Sequence, residues 1–213
     1  MGAKTGLLIH AEGDVADALQ ARPALDRDAC RRLISRMSAG KQITQIEDGT
    51  LGDDVYPPKG TVYLGCFPGL DIITGQHLMI DRPSLLAAEY VAHDGRRTYL
   101  HAMHSVVDWL AFGVWHDGTL VRALSLAPDE GIIENVGEVM PFEVPYWAED
   151  HPVEAEFGEE PYPFPFHPLD LGEAALERFF GFCVEGSSSD FDDFADIDPF
   201  EIPLMGFRLT DAE

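Results

Sequence analysis

The segment His116-Asp117-Gly118 separates two runs of apolar residues, and it constrains the fold more than any other part of the sequence. Asp-Gly favours positive φ angles at both central positions of a two-residue turn, which matches the twist of an antiparallel hairpin. The flanking runs, residues 99–115 and 119–126, are rich in the β-branched and aromatic residues typical of strands. The sequence therefore predicts a β-hairpin within residues 99–126.

Hydrophobic spacing and turn residues predict the other elements. Further strands are predicted at residues 5–11, 43–52, 61–64, 71–74 and 202–209, with one or two more at residues 131–139. Helices are predicted at residues 26–37, at 83–93 with Pro83 in the first turn, and at 170–182 with Asp170 and Glu173 as a capping box. Together they predict a single α+β domain over residues 1–213, in which a mostly antiparallel sheet carries about three helices.

Negative charge is concentrated in the second part of the chain. Residues 1–128 hold 15 Asp and Glu against 12 Lys and Arg, whereas residues 129–213 hold 23 against 2. The second part therefore has a net charge of −21 out of the −24 of the whole chain. Such a surface repels nucleic acid and anionic membranes, and it attracts basic proteins. We therefore predict a basic protein partner and neither a nucleic-acid nor a membrane partner.

An acidic, serine-rich stretch at residues 186–199 is predicted to be a solvated surface loop and the main partner-binding element. Its carboxylates are Asp190, Asp192, Asp193, Asp196 and Asp198. They do not fit an EF-hand, because Phe194 falls at the fifth position and no glycine falls at the sixth. No metal site is predicted from this loop.

Four arginines share one face of the helix predicted at residues 26–37. They are Arg27, Arg31, Arg32 and Arg36. Because the net charge of the chain opposes nucleic acid, we expect this basic stripe to dock against residues 129–213, the acidic half of the chain.

The densest set of reactive side chains comprises His101, His104, Ser105 and Asp108, which are the candidate catalytic residues. On a helix, the two histidines and Asp108 would share a face and could bind zinc. On a strand, which we favour from Val106 onward, His104 and Asp108 would lie about 13 Å apart on the face opposite His101. A Ser-His-Asp triad has the right residue types but lacks the Gly-x-Ser-x-Gly elbow.

Asp108 is flanked by apolar residues, where an unpaired charge would be costly. We therefore expect it to have a partner, and Arg122 on the next strand is one candidate. The competing interpretation is that these polar groups form hydrogen bonds within the sheet.

Three widely spaced cysteines, Cys30, Cys66 and Cys183, predict buried thiols rather than a disulfide framework or a zinc site. No apolar run approaches the roughly 20 residues of a membrane helix, and the N-terminus does not resemble a signal peptide. The segment Gly2-Ala3-Lys4-Thr5 does not fit a phosphate loop. We therefore predict a cytoplasmic protein without a cofactor.

Four stretches carry a resemblance that covers nearly the whole chain except the acidic loop. They are residues 1–5 (MGAKT), residues 101–112 (HAMHSVVDWLAF), residues 120–126 (LVRALSL) and residues 163–169 (PFPFHPL). The chain resembles a family of uncharacterised bacterial proteins of the actinobacterial type. This resemblance implies a cytoplasmic bacterial protein and carries over no activity, cofactor or catalytic residue.

Three functional hypotheses follow from these features. The leading one is a non-enzymatic binding protein, toxin-neutralising or regulatory, whose acidic half engages a basic protein. The second is a hydrolase or metal-dependent enzyme that uses His101, His104, Ser105 and Asp108. The third is mimicry of nucleic acid, in which spaced carboxylates imitate phosphates.

Overall fold

The computed structural model describes residues 4–153, 162–184 and 197–211. Within these ranges the chain forms ten strands: β1 (Lys4–Ala11), β2 (Lys41–Gln45), β3 (Gly49–Thr50), β4 (Thr61–Phe67), β5 (Leu70–Thr74), β6 (Arg97–His104), β7 (Trp109–His116), β8 (Thr119–Ala127), β9 (Gly131–Val136) and β10 (Pro203–Asp211). The α-helices are α1 (Val15–Gln20), α2 (Arg27–Met37), α3 (Leu51–Asp54), α4 (Val144–Trp147) and α5 (Pro168–Phe180). None of the helices in the described ranges is both long enough and apolar enough to cross a membrane.

The strands form an open sheet in the order β2-β10-β4-β5-β1-β6-β7-β8-β9, and β3 pairs with β10 off this path. All the strand pairs described are antiparallel. This arrangement confirms the prediction of an α+β fold with a mostly antiparallel sheet, although the described part has five α-helices rather than about three. The assignment of residues 1–213 to a single domain stays a prediction.

The predicted hairpin is confirmed by the connection between β7 and β8. Asp117 and Gly118 both have positive φ, at 48° and 77°, as the turn chemistry requires. His116 and Thr119 pair directly across this turn.

The run at residues 99–115 forms two strands, β6 and β7, with a turn between them at residues 105–108. The strand predicted from Val106 onward therefore begins only at Trp109. Val106 and Val107 lie at the tip of the turn with 74% and 54% of their surfaces exposed. Asp108 closes the turn with a φ of 47°, a left-handed conformation that Asp tolerates better than most residues.

The sheet separates two apolar layers because successive side chains of each strand point to opposite faces. Leu7 and Ile9 of β1 belong to a cluster that includes Leu176 and Phe180 of α5. Leu8, between them, belongs to a second cluster that includes Cys30 of α2. Each long helix therefore covers a different face of the sheet.

The two long helices lie close to their predicted positions. Asp26 accepts a hydrogen bond from the Ala29 amide at 2.8 Å and so caps α2. The start of α5 differs from the prediction, because His167 rather than Asp170 is the N-cap residue. Glu173 does not close a capping box there, since its Oε2 accepts from the Val184 amide beyond the other end of α5.

The helix predicted at residues 83–93 is wrong, because the structure has only two short 3₁₀ turns there, Pro83–Leu85 and Ala88–Tyr90. Backbone groups in this segment bond to distant partners instead of to a continuing helix. The Ser84 amide donates to Glu134 of β9, and the Tyr90 carbonyl accepts from His10 of β1. These bonds hold the segment against β9 and β1, and the extended backbone of Leu86 and Ala87, with ψ angles of 127° and 142°, separates the two turns.

The expected docking of the α2 arginines on the acidic half is wrong for three of the four. Each pairs on the protein surface with an acid from the first part of the chain. The pairs are Arg27 with Asp48, Arg31 with Asp28, and Arg32 with Asp26. The acidic half is therefore not neutralised by these three side chains.

Candidate functional site

His101 is fully buried between β1 and α5. Its Nε2 lies 2.9 Å from the carbonyl oxygen of Gly172, and its Nδ1 lies 2.8 Å from Thr5 Oγ1. A carbonyl can only accept, so Nε2 carries the proton and Nδ1 accepts from the threonine hydroxyl. Burial lowers the pKa of His101 to about 4, and the ring is neutral at pH 7.

Gly172 brings α5 close enough for this contact. A Cβ atom at this position would lie 3.2 Å from both Leu110 Cδ1 and Met103 Sδ, which is tighter than ordinary packing. The glycine thus lets the helix carbonyl reach the His101 ring.

His104 is the last residue of β6, and Ser105 begins the following turn. His104 packs edge-on against Tyr56, and its Nδ1 accepts from the Val106 amide at 3.3 Å. Because β6 alternates, the His104 side chain leaves the sheet on the face opposite His101. Ser105 is half-buried in the turn.

Asp108 has a partner, but the partner is not Arg122. Its Oδ2 lies 3.5 Å from His167 Nε2, and both side chains are partly exposed. Arg122 instead forms a fully buried pair with Glu143. The expected pairing of Asp108 with Arg122 is therefore wrong, because the turn at residues 105–108 carries Asp108 away from β8.

The structure does not bring the four predicted catalytic residues together. His101 is sealed between β1 and α5, His104 lies on the other face, and Asp108 reaches the start of α5. Within the described ranges, no group of three or more His, Cys, Asp or Glu side chains is placed to hold a metal ion. The hydrolase or metal-enzyme role of these four residues stays a prediction. Their side chains do not converge on one site in the structure.

A polar cluster centred on Asp71 was missed by the sequence analysis. Asp71 of β5 lies between His10 of β1 and Cys66 of β4 in the strand register. Arg96 reaches over it and donates from Nη1 to Asp71 Oδ2 at 2.9 Å and from Nη2 to the His10 carbonyl at 3.4 Å. His10 Nε2 in turn donates to the Tyr90 carbonyl at 2.8 Å.

Burial decides what this cluster can do. His10 and Cys66 are almost inaccessible, and Asp71 and Arg96 are 17% and 23% exposed. Burial also lowers the pKa of His10, which favours the neutral ring. The network therefore fastens residues 90–96 to the sheet. Its signal in the sequence was weak, because these residues meet only through the pairing of distant strands.

Two thiols adjoin this cluster in the layer under α2. A hydrogen bond between them lowers the pKa of Cys30 and raises that of Cys66. Both are buried, and the Cys30 thiol also points at the Leu64 carbonyl at 3.5 Å. The prediction of buried free thiols is confirmed for these two, while Cys183 is only half-buried.

Replacing Asp71 by Asn is expected to lower the free energy of unfolding by about 1–2 kcal/mol, because a partly buried guanidinium loses its charged acceptor. Urea unfolding followed by circular dichroism measures the change. The control is Asp48→Asn, whose pair with Arg27 lies on the surface and is worth about 0.5 kcal/mol or less. Equal losses in the two variants would show that the Asp71–Arg96 pair has no special structural role.

A cavity of about 690 Å³ opens near the end of α1 and the start of β10. The buried side chains of Leu19, Phe67 and Ile202 contribute its apolar lining. Polar lining residues include Arg22 and Glu201, whose side chains form an exposed ion pair at 2.9 Å.

The acidic half presents most of its described carboxylates to solvent. Between residues 129 and 211, the structure describes 13 Asp and Glu, of which nine are exposed. They are Asp129, Glu130, Glu138, Glu149, Asp150, Asp170, Asp198, Glu201 and Asp211. Glu143 and Glu134 are the buried exceptions and bond to Arg122 and to Ser84.

Most of the predicted partner-binding loop lies outside the described residues. This applies to Asp190, Asp192, Asp193 and Asp196. Asp198 is described and exposed, and its Oδ1 accepts from the Phe200 amide at 2.9 Å, which caps the short 3₁₀ turn Pro199–Glu201.

Comparison with known proteins finds a match to a protein family. Residues 5–207 match a family described as "Family of unknown function (DUF6928)". No curated protein and no solved structure matches the chain. Because the match spans nearly the full length, the chain belongs to DUF6928, an uncharacterised family of unknown function.

Proposed function

We propose that this chain is a non-enzymatic binding protein whose acidic half engages a basic protein partner, as a toxin-neutralising or regulatory protein does. The exposure of nine of the 13 described carboxylates in residues 129–211 carries the proposal. Only two of those nine, Glu201 and Asp211, form ion pairs within the described residues, with Arg22 and Lys41. Seven exposed carboxylates are therefore available to an external cation.

The basic residues of the chain do not offset this surface. Arg178 and Arg208 are the two basic residues of the acidic half. Arg122, the basic residue nearest to this half in sequence, forms a buried ion pair with Glu143 and does not face the exposed carboxylates. A field of one sign raises the rate of encounter with an oppositely charged protein and discourages anionic partners.

The chemistry of the surface favours a protein over other cationic partners. Carboxylates spread over several loops and strand ends fit a broad basic surface, such as lysine and arginine side chains present. Exposed charges of this kind contribute more to association rate and specificity than to affinity.

Immobilised protein incubated with a cell lysate is expected to retain basic proteins at about 0.1 M salt and to release them at about 1 M, since the Debye length falls from about 10 Å to about 3 Å. Mass spectrometry of the retained fraction identifies the proteins and their isoelectric points. Retention of no basic protein, or retention that does not depend on ionic strength, would count against the proposal.

A matched pair of variants tests where the binding surface lies. The acidic-half variant replaces three Glu and one Asp by their amides, at Glu130, Glu138, Glu149 and Asp150. The control variant does the same in the first part of the chain, at Glu12, Glu47, Glu89 and Asp81. All eight side chains are exposed and both variants lose four negative charges, so only the location differs. The acidic-half variant is expected to retain less basic protein than the control.

A further inference from the structure

The cavity near α1 and β10 has the size and lining of a small-molecule site. Its volume of about 690 Å³ falls within the range of about 300–1,000 Å³ that is usual for ligand pockets. Leu19 comes from α1, Phe67 ends β4, and Ile202 precedes β10, so the apolar floor is built from three separate elements. A floor of this kind accepts an apolar body but does not orient it.

The polar groups that line the cavity have a net negative charge. Arg22 supplies one positive charge, and Asp198 and Glu201 supply two negative charges. The fourth polar side chain among the described lining residues, Gln20, is neutral. The net charge of −24 on the whole chain adds a long-range field of the same sign.

The ion pair at the rim can exchange partners. The side chains of Arg22 and Glu201 are 78% and 58% exposed, and pairs of this kind contribute little to stability. A ligand cation can therefore replace the Arg22 guanidinium on Glu201. Such a ligand would bury an apolar body against Leu19 and Phe67 at the same time.

Arg22 also has a strained backbone. Its φ of 46° is left-handed, a conformation that a residue with a Cβ adopts at a cost. Its amide donates to the Leu19 carbonyl at 2.9 Å, where the chain leaves α1. Glycine at this position would relieve the strain and remove the guanidinium, whereas glutamine would remove only the charge.

From the apolar floor and the anionic rim, we propose that this cavity binds a small organic cation, in which one ammonium or guanidinium group is carried by an apolar body. Glu201 and Asp198 contact the cationic group, and Leu19, Phe67 and Ile202 contact the apolar body. The site does not depend on the proposed protein partner, because the groups that would contact the ligand are described residues of this chain.

Four probes that differ in charge and in apolar body test this site. They are 2-phenylethylamine, 2-phenylethanol, phenylacetate and methylamine. Titration of isotope-labelled full-length protein by NMR gives both the affinity and the residues that respond. The amine is expected to bind in the millimolar range, as suits a fragment, with amide shifts centred on the cavity lining. The alcohol is expected to bind more weakly, and phenylacetate and methylamine more weakly still.

Variants at the rim separate this site from diffuse attraction to an acidic protein. Glu201→Gln and Asp198→Asn are each expected to weaken amine binding about threefold to fivefold, with little effect on the alcohol. Arg22→Gln and Arg22→Gly are both expected to strengthen amine binding by a similar factor. Of these two variants, only Arg22→Gly should also unfold at a higher urea concentration than wild type. The control Glu89→Gln should change neither property.

Three results would overturn the assignment. One is equal or tighter binding of phenylacetate. Another is amine-induced shifts that spread over the acidic surface and are unchanged by Glu201→Gln. The third is the absence of any shift at the cavity lining with every probe. Each result is independent of whether a basic protein partner is found.

Discussion

Replacing Glu143 by Gln is expected to lower the free energy of unfolding by about 3–5 kcal/mol. Arg122 and Glu143 have no exposed side-chain surface, and they form two hydrogen bonds, Nε to Oε1 at 2.9 Å and Nη2 to Oε2 at 2.6 Å. The amide cannot neutralise the guanidinium, so the variant keeps a buried charge without a counter-charge. Urea unfolding at neutral pH measures the loss.

Glu143 has further contacts that raise the expected cost. It also accepts hydrogen bonds from the Met140 amide at 2.9 Å and from Trp147 Nε1 at 3.4 Å. The carboxylate therefore holds residues 140–147 against β8, and its replacement loosens this segment as well. Breaking a network in which one acceptor serves several donors costs more than the loss of a single bond.

Two further variants make this prediction sharp. Glu201→Gln is the control, because its pair with Arg22 is exposed and worth about 0–1 kcal/mol. The double variant Arg122→Met/Glu143→Gln should cost less than Glu143→Gln alone, since the unpaired buried charge is gone and the new side-chain amide oxygen can still accept from the Met140 amide. If Glu143→Gln proves as mild as Glu201→Gln, the buried pair does not have the role assigned to it.

The stability of the protein is expected to fall by about 2 kcal/mol between pH 8 and pH 5 through His101 alone. Burial lowers the pKa of this histidine to about 4 in the folded state, against the ordinary value of 6.5 for histidine. Between these two values the unfolded chain binds the proton and the folded chain does not, so acid favours unfolding. The loss of stability from His101 therefore begins as the pH falls below 6.5, where the unfolded chain takes up the proton. It stops growing below about pH 4, where the folded chain takes up the proton as well.

Urea unfolding at pH 8 and pH 5 measures this effect by comparison with His101→Gln. The variant should lose less stability than wild type over this interval, because its buried amide does not titrate. His10 and His77, whose pKa values burial also lowers, are present in both proteins and cancel in the comparison. The exposed His116→Gln serves as the control and should behave as wild type.

A direct titration covers the case in which His101→Gln does not fold. The ring resonances of His101 in the wild-type protein should keep the neutral, Nε2-protonated pattern down to pH 5. A midpoint near 6.5 for these resonances would contradict the burial of the ring and its bonds to Thr5 and Gly172.

Local chemistry made the β7–β8 hairpin and α2 predictable. Asp117 and Gly118 encode their turn by themselves, and Asp26 caps a helix whose buried positions are Cys30, Leu33 and Ile34. In both cases the residues that decide the structure lie within a few positions of one another. The antiparallel sheet was predictable because the predicted strands follow one another closely in the sequence.

The turn between β6 and β7 was not predictable by the same route. Val106 and Val107 have high strand propensity, and residues 105–108 include neither Gly nor Pro. The pairing of β6 with β7 over eight residues overrides that preference and leaves both valines exposed at the tip. Because this turn sets the direction of Asp108, the error extended to the candidate catalytic site.

The non-local contacts explain the remaining differences. Arg122 meets Glu143 across 21 positions, and Arg96 meets Asp71 across 25, so periodicity within a single element indicates neither pair. The cavity likewise combines Leu19, Phe67 and Ile202 from distant parts of the chain. The charge asymmetry between the two parts, by contrast, is a property of the sequence itself.

We propose that the exposed carboxylates of the acidic half form the partner-binding surface. The most direct test is the dissociation constant of an isolated basic partner, measured by calorimetry at several salt concentrations for wild type, the acidic-half variant and the control variant. The claim predicts that the acidic-half variant binds about tenfold more weakly near 0.1 M salt and shows a shallower salt dependence, while the control variant matches wild type. Equal affinities and equal salt dependences for the two variants would contradict it.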